Sequence, residues 1–225
     1  MLRRRSDQRE LMDDLNYKGD DLEITLQELD FINKWLGGDQ ISLSAFSRLA
    51  SQHKIHSIAD LGCGSGKFLS TIKNRFPEVA CTGVDANAAI IDYAKKTFPG
   101  IEFISENIQD SRFSNRKFDI LHCCLFLHHF TDDELIDLFV AFTKQAKVGV
   151  IVNDLHRHFL AYHAIALLTR FFSRSGLVRH DAKLSVQRGF KRRELVDILD
   201  RAGIKRYQLS WKWAFRWQLI IYTNP

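Results

Sequence analysis

Two sets of residues have the types and the spacing for chemistry: a glycine loop at 60–66, and histidines gathered between 122 and 163. The loop reads Asp60-Leu61-Gly62-Cys63-Gly64-Ser65-Gly66 and follows the short run Ile55 to Ala59. Glycine permits positive φ and lets a ligand lie close against the backbone. A helix starting behind such a loop, here from Lys67 to Arg75, offers unpaired N–H groups to a polar cofactor. A phosphate-cradling loop, G-x-x-x-x-G-K-[ST], would need glycine at Leu61 and a hydroxyl at Phe68. A dinucleotide loop, G-x-G-x-x-G, would need its third glycine at Lys67. What fits is an acid followed by glycines at three alternate positions; a plain glycine-rich turn is the alternative. A second acid, Asp85, stands 19 positions beyond Gly66, closing the run that begins at Val79. A carboxylate there can accept hydrogen bonds from both hydroxyls of a ribose, or cap the helix expected from Ala86 to Thr97.

The histidines suit a different task. Six of the nine lie between 122 and 163: His128 and His129 follow the segment Phe118 to Cys124, and His156 and His158 follow Val148 to Val152. An imidazole is the natural general base near neutrality for an acceptor such as a phenol or an enol. His129 or His156 is the candidate base, with Asp154 as the partner that orients it. A buried structural histidine is the commoner fate of any single one, and a metal site is a rival use of the cluster.

These residues need strand ends to hold them. Ile55 to Asp60, Val79 to Asp85, Ile101 to Ile104, Phe118 to Cys124 and Val148 to Val152 read as strands, with helical stretches between. Thr131-Asp132-Asp133-Glu134 is a capping box that opens a helix through about Gln145. The alternation predicts a parallel sheet with helices on both faces and ligands beyond the carboxyl ends of its strands. Ile204 to Trp211 and Trp217 to Tyr222 read as closing strands. Trp211, Trp213, Phe215, Trp217, Leu219 and Ile221 share one parity, so core or edge packing is expected of these tryptophans rather than a stacking platform.

In Asp60, Gly62, Gly64 and Gly66 the loop resembles motif I of the class I S-adenosylmethionine-dependent methyltransferases. Phe118-Asp119, with the loop bearing His128 and His129, resembles their motif IV. The resemblance implies an α/β fold: a seven-stranded Rossmann-like sheet, mostly parallel, with an antiparallel C-terminal hairpin. It implies S-adenosyl-L-methionine as cofactor, with its amino-acid moiety beside the glycine loop, its ribose on Asp85, and its adenine at Asn107 and Ile108. Cys63, Ala86 and Cys123 complete the expected cofactor set, and no metal is expected.

A 45% hydrophobic fraction with three prolines over 225 residues marks one folded domain rather than a disordered chain. Its expected parts are an N-terminal helical extension over 1–52, a cofactor core over 53–155, a helical insertion over 156–191, and a closing helix and hairpin over 192–225. Four cysteines without a C-x-x-C pair predict reduced thiols in a cytoplasmic protein. The basic start Met1 to Arg5 has no apolar segment behind it, unlike a secretory signal. In the extension, Leu22, Leu26, Leu29 and Ile32 recur at helical spacing before Gly37-Gly38, and Ile41 to Ser51 predicts a second helix. The extension packs on the sheet edge, closes over the cofactor as a lid, or does both.

The insertion spans about forty residues where the minimal fold needs a handful. Phe159 to Phe172 reads as a strongly apolar helix, and Arg170 to Arg193 holds eight Lys or Arg against one acid, Asp181. An apolar wall with a basic rim suits an acceptor with a greasy body and a polar head, and also peripheral contact with a membrane. The plain alternative is a helix covering the sheet and a solvated charged face. Asn153-Asp154-Leu155-His156-Arg157-His158, with Leu11-Met12-Asp13-Asp14 and Trp35-Leu36-Gly37-Gly38, narrows the resemblance to bacterial small-molecule methyltransferases associated with type III polyketide synthases. That subset implies O-methylation of a hydroxylated aromatic acceptor: a phenolic lipid, polyketide or quinol. A net charge of +5 keeps an RNA or tRNA methyltransferase in view, but the basic excess is local and no RNA-binding module is appended. A non-catalytic cofactor-binding protein is the other alternative, and the intact glycine loop with Asp85 speaks against it.

Overall fold

The computed structural model describes residues 2–15, 17–19 and 21–223, so Met1 of the basic start lies outside the described residues. Among the described residues seven strands are present: β1 (Ser57–Leu61), β2 (Ala80–Asp85), β3 (Glu102–Ser105), β4 (Phe118–Cys124), β5 (Ala146–Leu155), β6 (Tyr207–Lys212) and β7 (Arg216–Tyr222). They form one sheet in the order β3-β2-β1-β4-β5-β7-β6. The first five are mutually parallel, and β7 lies antiparallel between β5 and β6, as expected. The chain winds outward from β1 through β3 and then returns to β4. That reversal opens a crevice beyond the carboxyl ends of β1 and β4.

Helices α1 (Leu22–Trp35), α2 (Gly38–Ala50), α3 (Lys67–Arg75), α4 (Ala88–Thr97), α5 (Ser111–Ser114), α6 (Asp132–Gln145), α7 (Phe159–Phe172), α8 (Gly176–Arg188) and α9 (Arg192–Arg201) complete the described fold. On one face of the sheet, Phe46 and Leu49 of α2, Leu69 of α3 and Ile91 of α4 pack with Ile58 and Ile151. On the other, Phe139 and Phe142 of α6 and Ile198 of α9 pack with Ala59, Val150 and Val152. Neighbouring strand residues thus feed opposite cores, which is why the central strands read as continuous apolar runs. Thr131 and Glu134 form the capping box that starts α6.

Four details differ from expectation. β5 extends to Leu155 because β7 hydrogen-bonds to it from Gly149 to Leu155, beyond the apolar run. The cap of α4 is Asn87, whose side chain accepts from the Ala89 and Ile90 amides, so Asp85 is not the capping residue. The insertion holds two helices, α7 and α8. The tryptophan parity breaks at the hairpin turn: Trp217 is core, with Nε1 donating to Phe190 O at 3.0 Å, but Trp211 and Trp213 are exposed. The strand period lapses there because Trp213 lies outside both strands and Trp211 sits on the edge strand β6.

Candidate active site

One cavity of about 1450 Å³ lies at these strand ends. Asp60, Gly62, Cys63 and Gly64 border it from the glycine loop, Asp85 and Ala86 from the end of β2, and Asn107 and Ile108 from beyond β3. Gly64 has φ 51° and open space where a side chain would begin, so ligand atoms can lie on its backbone. At Gly62 a Cβ would collide with the Phe126 ring. Two expected cofactor residues do not border the cavity. Gly66 turns the chain into α3 with its Cα facing Phe103, and Cys123 is buried in the core.

Asp85 is fixed in place at the cavity wall. Its Oδ2 accepts from Gly64 N at 3.3 Å and its Oδ1 from Asn87 N at 3.0 Å, while burial pushes its carboxyl up. Asp60 is held from behind: Oδ1 lies 2.7 Å from His122 Nδ1, and His122 Nε2 lies 2.8 Å from Ser42 Oγ. Asn153 donates to the same Ser42 and to Gly38 O, and Phe68 stacks on His122 at 4.1 Å. His122 and Asn153 are therefore buried polar links that lock the loop to α2, each with its partners supplied. Above the loop, Ser65 Oγ donates to the Asp30 carboxylate of α1, a group that burial raises to about 6.

The histidines divide in a way the sequence reading did not foresee. Asp154 was the expected partner of His129 or His156, but its Oδ1 lies 2.7 Å from His128 Nδ1. The side chain of His156 accepts from Trp211 Nε1 at 3.2 Å, and His156 does not border the cavity. Burial, then the neighbouring His158 and Arg157, hold its pKa down. His156 is thus removed as candidate base by position. His129 does border the cavity, and its Nδ1 is 2.5 Å from Asp13 Oδ1.

Asp13 and Glu10 are the residues that sequence reasoning missed. They arrive on an N-terminal strap whose Leu11 and Met12 amides donate to Asp181 of α8. Arg5 fastens the strap further, donating to His128 O and Phe130 O and lying over the Phe190 ring. Arg188 bonds Asp13 at 2.7 Å and donates to His128 O and His129 O. Asp13 falls in the segment Leu11-Met12-Asp13-Asp14 that narrows the resemblance, but no periodicity or motif assigns either residue to a site. Burial disfavours charge on His128, yet the Asp154 and Glu10 carboxylates outweigh it and raise its pKa to about 9. At neutral pH His128 is then a fixed cation, held between Asp154 and Glu10. The buried Glu10 Oε1 lies 3.5 Å from His128 Nε2 and makes no hydrogen bond. Glu10, His128 and His129 place one donor atom each within 4.8 Å of one another, a set of the kind that holds zinc-like cations.

Residues 58–149 match the family described as Methyltransferase domain. The trans-aconitate 2-methyltransferase of Acidovorax sp. (strain JS42) is 35% identical over 68 residues, 30% of this chain and 25% of that protein. The match thus spans about a quarter of that curated relative's length. Among solved structures, the plantazolicin methyltransferase BpumL in complex with SAH superposes with a TM-score of 0.71 at 15% identity, covering 92% of both chains. Human N-acetylserotonin methyltransferase in complex with SAM superposes with a TM-score of 0.63 at 17% identity, covering 91% of this chain and 56% of that one. At these identities the likeness establishes the fold.

Proposed function

For a chain that belongs to the class I S-adenosylmethionine-dependent methyltransferases, we propose methyl transfer to a hydroxyl oxygen of an aromatic, lipid-like small molecule. The observation that carries this reading is a single cavity shared by Asp85, His129 and apolar side chains of α7 and α8. Asp60, Gly62, Cys63 and Gly64 hold the amino-acid end of the cofactor, Asp85 and Ala86 its ribose, and Asn107 and Ile108 its adenine. The open backbone at Gly64 and the fixed Asp85 carboxylate suit a nucleoside with a polar tail. When bound, S-adenosylmethionine supplies a sulfonium methyl for direct displacement by the acceptor oxygen, the S–C electron pair remaining on sulfur.

The chain's own part is alignment and proton removal. His129 takes the acceptor's hydroxyl proton, and Asp13 orients the ring and stabilises the charge it gains. Asp154 acts one step back, through His128. Leu167, Leu168, Phe171 and Phe215 wall the acceptor's apolar body. A second reading is favoured by the unbonded Glu10 Oε1: a divalent cation on Glu10, His128 and His129 that binds the acceptor oxygen as its anion. Dialysis against a chelator separates the two, since the base reading expects unchanged turnover. The whole proposal is tested with labelled cofactor and a panel of alkylresorcinols, quinols and tRNA. Label in a phenolic oxygen is expected; label only in RNA, or in nothing despite cofactor binding, overturns it.

A further inference from the structure

Helix α7 departs from the rule that apolar helices bury themselves. Of its 14 residues only Ala161 and Thr169 are buried, while Leu167, Phe171 and Phe172 are 60%, 69% and 78% exposed. Across the same opening stand Trp35 at the end of α1, 65% exposed, and Trp213 in the hairpin turn, 74% exposed. All five border the cavity described above, so they form its rim. The parts of the rim are tied together. Glu28 of α1 accepts from Ser173 Oγ at 2.5 Å and Arg174 N at 2.7 Å, just past α7, and His158 stacks on Phe215 at 4.9 Å. The turn that presents Trp213 carries Ala214 and Phe215 at φ 59° and 56°, left-handed conformations that cost about 1–2 kcal/mol each.

Charge selects what covers this rim. Arg170, Arg174 and Arg179 are exposed beside the apolar side chains, Lys34 adjoins Trp35, and no Asp or Glu occurs between 159 and 179. A two-fold contact between copies would set these arginines against one another, with Glu28 already engaged by Ser173 and Arg174. An anionic bilayer accepts both features: aromatic side chains enter the acyl boundary while arginines meet phosphates. Among the described residues no helix is long and apolar enough to cross a membrane, so the contact is with the surface. We infer that α7, Trp35 and Trp213 dock on an anionic lipid surface and that the acceptor enters the cavity from that layer. The second half rests on the proposed lipid-like acceptor; the first does not.

Co-sedimentation with phosphatidylcholine vesicles, with and without about 30% phosphatidylglycerol, tests the docking with neither cofactor nor acceptor present. The protein is expected to pellet with the anionic vesicles, less at high salt and less with neutral ones. Phe171→Ser/Phe172→Ser should lower partition at least about tenfold. Arg170→Glu/Arg174→Glu should weaken binding to anionic vesicles more than to neutral ones. Unchanged cofactor affinity and melting temperature certify that both variants are folded. Protein left in the supernatant with anionic vesicles, or equal pelleting of the aromatic variant, overturns the inference. So does a concentration-dependent dimer that the aromatic variant dissolves, which would assign the rim to a second copy. Intact vesicle binding without catalysis would discard only the proposed reaction.

Discussion

Under the proposed function the cavity has a cofactor end and an acceptor end. At the cofactor end every group proposed to meet the ligand lies within a few residues of a strand end: Asp60 to Gly64 after β1, Asp85 and Ala86 after β2, Asn107 and Ile108 after β3. At the acceptor end the pieces come from across the chain. The bond from His129 to Asp13 joins residues 116 apart, and that from Arg188 to Asp13 joins residues 175 apart. The first end is fixed by local backbone geometry, so its form follows once the sheet exists. The second exists only when the strap, α8 and the loop after β4 have docked together. Such an end can be remodelled for different acceptors without disturbing the donor site.

This contrast predicts separable defects. His129→Ala should lower turnover about 10²- to 10⁴-fold, the usual contribution of a general base, while cofactor affinity by calorimetry stays within about threefold. His156→Ala, outside the cavity, should leave turnover nearly unchanged; equal damage in both would erase the distinction drawn between these histidines. Asp85→Ala should do the reverse of His129→Ala and weaken cofactor binding about 10²-fold, through two lost charge-assisted hydrogen bonds. A smaller effect concerns the docking of the strap. His128 titrates near 9 when folded against about 6.5 when unfolded, because Asp154 and Glu10 overcome its burial. Its stabilisation is therefore complete below pH 6.5 and is lost as pH rises through about 9. The melting temperature should fall over that window, and His128→Gln should melt lower but flat across it; a variant with the same slope would show another group to be responsible.

How much was legible follows the same division. The glycine loop, Asp85 and the strand alternation were readable because each depends on neighbours in sequence. Gly66 and Cys123 were misplaced because a motif gives position along the chain and not the side a residue faces. Asp154 was assigned to the wrong histidine for a related reason: β4 and β5 set its register, and a single residue decides whether His128 or His129 meets it. Glu10 and Asp13 could not be assigned to the site, since nothing in a short strap announces where it docks. The greasy helix α7 was legible as a helix, and its basic flank left membrane contact open beside burial against the sheet; apolar composition alone does not choose between the two.

The most direct test of an acceptor end built for an apolar body is a series of 5-alkylresorcinols of increasing chain length, assayed for methyl transfer. Each methylene that enters the cavity should raise kcat/KM roughly two- to fourfold until the cavity is filled, mainly through KM. A kcat/KM independent of chain length, or highest for the bare resorcinol, would contradict the account.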